Sequence, residues 1–386
     1  MRLHPVTLAS MLPGSVSPEG TARYAGRFPA LQQAGHFRQP RHVPGASDLT
    51  LSSIALGTYL GETDDAADRS YTEAIIQALR SGINVLDAAI NYRHQRSERN
   101  LGAALAQLVA TGEVQRDEVV VCTKAGYLAF DGDVPADPAA YFEQEYFQRR
   151  VMDRSEVAGS VHCMAPKYLT DQIERSRRNL GLETIDVFYL HNPEHQLGAV
   201  NEDIFWKRIG AAFTALETAV TENKIRFYGA ATWNGFRLAP TQKGYMNLER
   251  MVHTAREVGG PEHHFRFVQL PFSLAMTEAW ALGNHSCNGR QGSLLQLATD
   301  FGIAVMGSAT LYQGQLTSGM PDPLRQKLGL ESDAENSIQF ARSATNLTSS
   351  LIGMGQSAHV LENIRVAAQP PMPREAWEGM FSEAGE

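Results

Sequence analysis

Eight short apolar runs punctuate the chain from Leu49 onward: Ile54–Gly57, Asn84–Asp87, Val119–Thr123, Ile185–Leu190, Phe227–Ala230, Phe267–Leu270, Ile303–Met306 and Ser350–Ile352. Several are rich in Val and Ile and apolar throughout, the pattern of parallel strands covered on both faces. Amphipathic stretches separate them. Ser70–Ser81, Ser97–Val109, Tyr168–Leu180, Phe205–Asn223, Gly244–Val258, Ser293–Phe301 and Ala358–Ala368 read as helices, with Pro373–Ala384 as one more at the end. Gly82 and Gly181 stand where two of these helices stop. Strands alternating with helices imply parallel βαβ units, and eight is the number that closes a TIM barrel. The prediction is an α/β protein, a (β/α)8 barrel. An open doubly wound sheet would place a Gly-rich nucleotide turn after its first strand, and the segment from Gly57 to Gly61 (GTYLG) matches that poorly.

Three regions follow from this reading: an N-terminal extension at 1–48, rich in Pro, Gly, Gln and His; the barrel at 49–372; and a terminal helix or tail at 373–386. A long loop, 126–166, follows the third strand. In a barrel it overhangs the face that carries active sites, and loops of this length are commonly functional or disordered. A formal net charge of -8 without a basic run argues against a nucleic-acid partner, which needs clustered Lys and Arg. Cys122, Cys163 and Cys287 are odd in number and far apart, so a disulfide framework is not expected. The start, MRLHPVTLASMLPGSV, has no continuous apolar segment of signal-peptide quality, and no run reaches the roughly 20 apolar residues that span a bilayer. The expectation is a cytoplasmic chain that does not enter a membrane.

The richest segment is Asn84 to Gly102, NVLDAAINYRHQRSERNLG. Asp87 ends a strand, Tyr92 lies five residues on, Lys124 ends VVVCTK, and His191 ends IDVFYLH. Barrel topology brings these strand ends to one mouth. A free Tyr, with a pKa of about 10, is a poor acid near neutrality. A neighbouring ammonium stabilises the phenolate and lowers that value, and a carboxylate keeps the lysine charged. A neutral His can hydrogen-bond a carbonyl oxygen. Together such groups protonate a carbonyl oxygen while hydride arrives at carbon. Singly, each has a plain alternative: Asp87 as a cap, Tyr92 as packing, Lys124 as a structural partner of Asp87. At the chain's end, Gly353-Met354-Gly355-Gln356 precedes a helix beginning near Ser357, whose backbone N–H groups suit a phosphate.

The string from His191 to His195 (HNPEH) matches H-x-x-E-H, a zinc-protease pattern. That chemistry needs both histidines on one helix face, and Pro193 disrupts such a helix. The pairs His162-Cys163 and His263-His264 lack partners at ligand spacing, so no metal site is expected. Cys122, inside a strand, reads as core.

The segments LGTYLG, LDAAINYRHQRSERNLGAAL, VVVCTKAGY and RSRRNLGLETIDVFYLHNPE together resemble the aldo-keto reductase family, as do the later KIRFYGAATWN, FVQLPFS and LIGMGQSAHVLENI. The resemblance covers roughly residues 49–368 and is strongest over the first four strands. It implies that Tyr92, Asp87, Lys124 and His191 form a catalytic tetrad, with Tyr92 as general acid/base and a nicotinamide nucleotide, NADP with NAD also possible, as hydride partner. It places Gln269 on the nicotinamide carboxamide and Glu362 and Asn363 on the adenine. Gly57, Thr58, Thr232, Ser308, Leu311, Gly314, Gly353, Gly355 and Gln356 complete the candidate nucleotide site. Tyr59, Tyr127, Asn192 and Trp233, each just after a strand, are candidate substrate walls.

Three departures stand out. Ala231-Thr232-Trp233-Asn234 replaces the usual Ser-Asn after strand five. Ser308 falls where an aromatic ring commonly stacks on the nicotinamide, with Tyr312 a displaced substitute. No Arg or Lys lies between Ser343 and Asn363 to meet a 2′-phosphate. The expected function is NAD(P)H-dependent reduction of a small carbonyl compound, or oxidation of its alcohol. Two other readings stay open: a nucleotide-binding regulatory barrel with little turnover, and a redox-neutral epimerase or lyase that keeps its nicotinamide cofactor.

Overall fold

The computed structural model describes residues 11–382; the end of the terminal helix expected to reach Ala384 and the opening residues 1–10 lie outside them. Eight parallel strands close into a barrel: β1 (Ile54–Gly57), β2 (Val85–Asp87), β3 (Val120–Ala125), β4 (Ile185–His191), β5 (Ile225–Ala231), β6 (Phe265–Pro271), β7 (Ala304–Ser308) and β8 (Leu347–Gly353). Each pairs with its sequence neighbours, and β8 closes onto β1 through Ile352↔Leu56 and Gly353↔Gly57. Helices alternate with the strands: α1 (Asp65–Arg80), α2 (Arg96–Ala110), α3 (Pro166–Leu180), α4 (Glu202–Thr221), α5 (Leu248–Gly259), α6 (Leu294–Phe301), α7 (Asp333–Arg342) and α8 (Ser357–Ile364). Local chemistry sets their ends. Asp64, Asn201 and Asn247 side chains accept the N–H groups that open α1, α4 and α5. Gly181 and Gly302 stop α3 and α6 in the left-handed conformation that glycine adopts without cost.

Helix α7 is absent from the sequence reading. Its signal is the capping box of Ser332 and Glu335, whose side chains and backbone N–H groups satisfy one another. Its polar composition hid it, because ten consecutive residues are buried, Asn336, Gln339 and Arg342 among them.

The N-terminal extension closes the barrel floor. Val16, Val43 and Ala46 of the extension, with Leu49 and Leu51 just after it, join Val85, Val120, Phe227, Phe267 and Met306 in one buried cluster inside the strand ring. The Val16 N–H donates to Asp186 at 2.7 Å, and Arg23 pairs with Asp117 and Glu118. At the other terminus, Trp377 of the helix Arg374–Ser382 is fully buried against Phe272, Trp280 and Phe340, and its indole N–H donates to the Phe340 carbonyl at 2.9 Å.

The 126–166 segment is folded. It contains the helices Pro138–Phe142 and Glu143–Gln148, and Phe130 stacks on Phe142 at 4.8 Å. The buried Tyr146 hydroxyl donates to the Ala129 carbonyl at 2.7 Å. Aromatic burial within the segment supplies the order that a polar loop of that length would lack. Cys122, Cys163 and Cys287 are free and buried.

Candidate active site

All eight strands run the same way, so their C-terminal ends share one rim, and a cavity of about 810 Å³ opens there. Asp87 is the last residue of β2, Lys124 the next-to-last of β3, and His191 the last of β4. Asp87, Tyr92 and His191 line the cavity, and Lys124 lies fully buried behind them.

The Lys124 ammonium has three hydrogens and three acceptors: Asp87 Oδ1 at 2.5 Å, the Ala88 carbonyl at 2.8 Å and the Tyr92 hydroxyl oxygen at 3.3 Å. Burial pulls the Lys124 ammonium down, but the Asp87 carboxylate and Tyr92 outweigh it and leave its pKa above the ordinary lysine value. Because Lys124 donates to the Tyr92 oxygen, the phenolic hydrogen is left to point elsewhere. The Tyr92 pKa itself runs against the sequence-based expectation. Burial raises it, the Lys124 charge opposes this, and the net position is above the ordinary phenol. The Lys124 ammonium is thus the group that holds the phenol's pKa down against burial.

Burial, with the Lys124 charge and two neighbouring histidines added, drives the His191 pKa well below the ordinary imidazole value, so this ring is neutral near pH 7. Its Nδ1 lies 3.1 Å from Asn91 Oδ1, and its ring edge meets those of Tyr92 and Tyr127. Behind it, His162 Nε2 sits 2.7 Å from the His191 carbonyl oxygen, and Gln196 meets His162 Nδ1 at 2.9 Å. Gly126 permits this approach: a Cβ there would lie 2.5 Å from the His191 carbonyl oxygen and 2.6 Å from His162 Nε2. Sequence reasoning missed Asn91, His162 and Gln196. Asn91, directly before Tyr92, was findable; His162 comes from the far end of the insertion.

The candidate wall residues Tyr59, Tyr127, Asn192 and Trp233 all line the cavity, and Asn192 donates to the Tyr127 hydroxyl at 2.9 Å. So do Gly57, Thr58, Thr232, Gln269, Ser308, Leu311, Gly314, Gly353, Glu362 and Asn363. Two candidates fall outside. Gly355 packs against the Tyr71 ring, its carbonyl taken by Ser70, and Gln356 is exposed at the start of α8. Tyr312 also stays off the lining, although its neighbours Leu311 and Gln313 are on it. The exposed aromatic rings on the lining are Trp233 and Tyr59, at 39% and 56% exposure. Gln269 spends one amide N–H on Asp87 Oδ2 at 2.8 Å. Where the Ser-Asn pair was missing, Glu194 Oε1 accepts the N–H groups of Trp233, Asn234 and Gly235, so a carboxylate shapes the strand-five loop. That use turns Glu194 away from the H-x-x-E-H role. Among the described residues no cluster of His, Cys, Asp and Glu is placed to hold a metal, and no helix is long and apolar enough to cross a membrane.

The lining fits a polar ligand. Thr232 and Thr310 both face the cavity, and both hydroxyls are buried without a partner. A buried polar group without a partner is costly, so a ligand with hydrogen-bonding groups completes them.

The sequence model of the aldo/keto reductase family matches residues 53–333. The chain belongs to the aldo/keto reductase family. This reductase-family chain is 26% identical over 199 residues to the NADH-specific methylglyoxal reductase of Escherichia coli, an alignment covering 48% of this chain and 50% of that one. It is 25% identical over 287 residues to the L-glyceraldehyde 3-phosphate reductase of the same organism, covering 73% and 65%. It thus spans about half the length of the first of these relatives. In fold it is similar to an aldo-keto reductase of Bacillus halodurans in its holo form, with a TM-score of 0.59 and 18% identity over 90% of this chain and 95% of that one.

Proposed function

We propose that this chain is an NAD(P)H-dependent oxidoreductase that reduces a small carbonyl compound, or oxidises the corresponding alcohol, with Tyr92 as general acid/base. The observation that carries the reading is the Lys124 ammonium, which spends its three hydrogens on Asp87, Ala88 and Tyr92 and leaves the phenolic hydrogen free at the edge of an 810 Å³ cavity. The nicotinamide nucleotide supplies or takes the hydride when bound. Thr232, Ser308, Thr310, Glu362 and Asn363 are the side chains to hold it, on the lining that runs from β5 round to α8.

In the reductive direction the carbonyl oxygen takes the Tyr92 proton as negative charge develops on it. The phenolate left behind faces the Lys124 ammonium, whose charge Asp87 maintains in a fully buried place. A fixed charge in a site with little water acts more strongly than it would in solvent. With Nδ1 facing Asn91 Oδ1, the neutral His191 ring leaves Nε2 to accept the alcohol hydroxyl; it donates to a carbonyl oxygen only with the Asn91 amide turned over so that its N–H faces Nδ1. In the oxidative direction the phenolate takes the alcohol proton. Tyr59, Tyr127, Asn192 and Trp233 form the substrate walls. A cytoplasmic location belongs to the same reading, motivated by three free cysteines.

The test is Tyr92→Phe, assayed for oxidation of NADH and NADPH with a panel of aldehydes and ketones beside a nucleotide-binding titration. Proton transfer by a positioned acid is worth roughly 10²–10⁴ in rate, so turnover should fall by that range while binding persists. Unchanged turnover removes Tyr92 from the mechanism. Nucleotide binding by the native chain without any turnover favours the regulatory reading.

A further inference from the structure

Directly after Tyr92 the backbone does something costly. Arg93, His94 and Gln95 have φ values of 48°, 53° and 72°, three successive left-handed residues with no glycine among them. Such a conformation costs a side-chain-bearing residue roughly 1–2 kcal/mol and persists only where the surroundings over-determine it. Here all three are held. The Arg93 side chain is 1% exposed; its Nε donates to the Glu62 carbonyl at 2.8 Å, Nη1 to Asn100 Oδ1 at 2.8 Å and Nη2 to Asp68 Oδ1 at 2.7 Å. Its guanidinium also lies 4.9 Å from the centre of the Tyr71 ring. The His94 carbonyl accepts the Gly132 N–H at 2.8 Å. The Gln95 amide donates to the Phe130 carbonyl at 2.8 Å and accepts from Asn179 at 3.0 Å. The turn is thereby tied to the loop after β1, to α1, α2 and α3, and to the folded 126–166 segment.

What this anchoring serves is one residue earlier. The Tyr92 hydroxyl is 3.3 Å from Lys124, the longest of the three ammonium contacts, and the Tyr92 ring rests on Tyr59 at 5.0 Å and His191 at 5.6 Å. A small swing of the backbone at Tyr92 breaks the lysine contact first.

We propose that Arg93 is a positioning residue for Tyr92: its buried guanidinium locks the left-handed turn that sets where the phenol stands between Lys124 and the cavity. Arginine suits the task because its rigid planar fork aims separate N–H groups at three acceptors on different elements, whereas an ammonium offers its hydrogens from one point on a flexible stem. The residue is off the cavity lining and acts only through Tyr92, so the inference rests on the acid/base reading of that residue.

The experiment uses the full chain in four forms, Arg93→Ala, Arg93→Gly, Arg93→Lys and Tyr92→Phe. Thermal unfolding and crystal structures are taken for each, and kcat, KM and the pH profile are taken with whichever aldehyde the panel above identifies. In Arg93→Ala the Tyr92 hydroxyl should move away from Lys124 by on the order of 1 Å and kcat fall by about 10–100-fold, with nucleotide KM held within about two-fold, since misplacement by that distance costs about 10²-fold. Arg93→Gly removes the left-handed penalty at its own position, so it should retain more activity than Arg93→Ala. Arg93→Lys keeps the charge against Asp68 but not the three-way fork, and should fall between wild type and Arg93→Ala; it stands in should the truncations not fold. A Tyr92 hydroxyl that stays beside Lys124 in Arg93→Ala or Arg93→Lys overturns the proposal, whatever the activity. So does wild-type kcat and pH profile in either. Full activity in Tyr92→Phe is a different failure, that of the acid/base reading itself.

Discussion

Consider Asp87→Asn. The exchange is nearly isosteric, and it leaves the Lys124 side chain, 0% exposed, without the carboxylate 2.5 Å away. Breaking a buried ion pair by removing one partner costs roughly 3–5 kcal/mol, against a total stability of about 5–15 kcal/mol for a protein domain. The pH dependence carries more information than the size. In the native chain the folded pKa of Lys124 is raised, so its contribution is fully present below the unfolded value of about 10.4 and is lost only as pH rises through the higher folded value. Native stability should therefore show no lysine-linked slope from pH 7 to 9. In the variant, burial is opposed by Tyr92 alone, and the folded pKa should drop below the unfolded one. The unfolded state then binds more protons, and stability rises with pH over the same range, by up to about 1.4 kcal/mol per pH unit. Urea unfolding at pH 7, 8 and 9 reads both slopes. Parallel native and variant curves separated by less than about 1 kcal/mol would refute the claim that Asp87 holds Lys124 charged.

Other outcomes follow from the same geometry. Gly126→Ala places a Cβ 2.5 Å from the His191 carbonyl oxygen, so unfolding should show a loss of about 1–3 kcal/mol together with reduced kcat; full stability and activity would place the His162–His191 contact outside the working structure. Burial lowers the pKa of His36 to about 3 and those of His162 and His285 to about 4. The unfolded state takes up their protons first, so stability should fall as pH drops below about 6.5, with each histidine adding up to about 1.4 kcal/mol per pH unit until its folded value is reached. Removing His162 and His285 together, as Gln variants that remain folded, should flatten that slope, and an unchanged slope contradicts the assignment. The described cavity lining includes the Glu362 carboxylate and no Lys or Arg, so calorimetric titration should find NADH bound at least as tightly as NADPH, and a strong NADPH preference would show that another group meets the 2′-phosphate.

Much of this protein is written in short-range patterns. Val-rich runs such as Val119–Thr123 read as strands, because a short apolar stretch of β-branched residues with no polar face suits a strand covered on both sides. The eightfold alternation then leaves little choice but closure. Asp87, Lys124 and His191 were legible for the same reason: a polar residue ending an apolar run marks the barrel rim. Helix α7 was not, since its buried residues are largely polar and find their partners in distant segments, as Arg342 does with Ser53 and the Val366 carbonyl.

What only the tertiary structure decided is how those rim groups behave. Whether the Tyr92 phenol is raised or lowered depends on the balance between burial and the Lys124 charge, and both are set by packing from elements far apart in the chain. That His162 lies behind His191, that Glu194 braces the strand-five loop, and that Gly355, Gln356 and Tyr312 stay off the cavity are facts of chain path. The residues themselves carry the chemistry, but distance and desolvation are properties of the fold, and no spacing along a sequence encodes them.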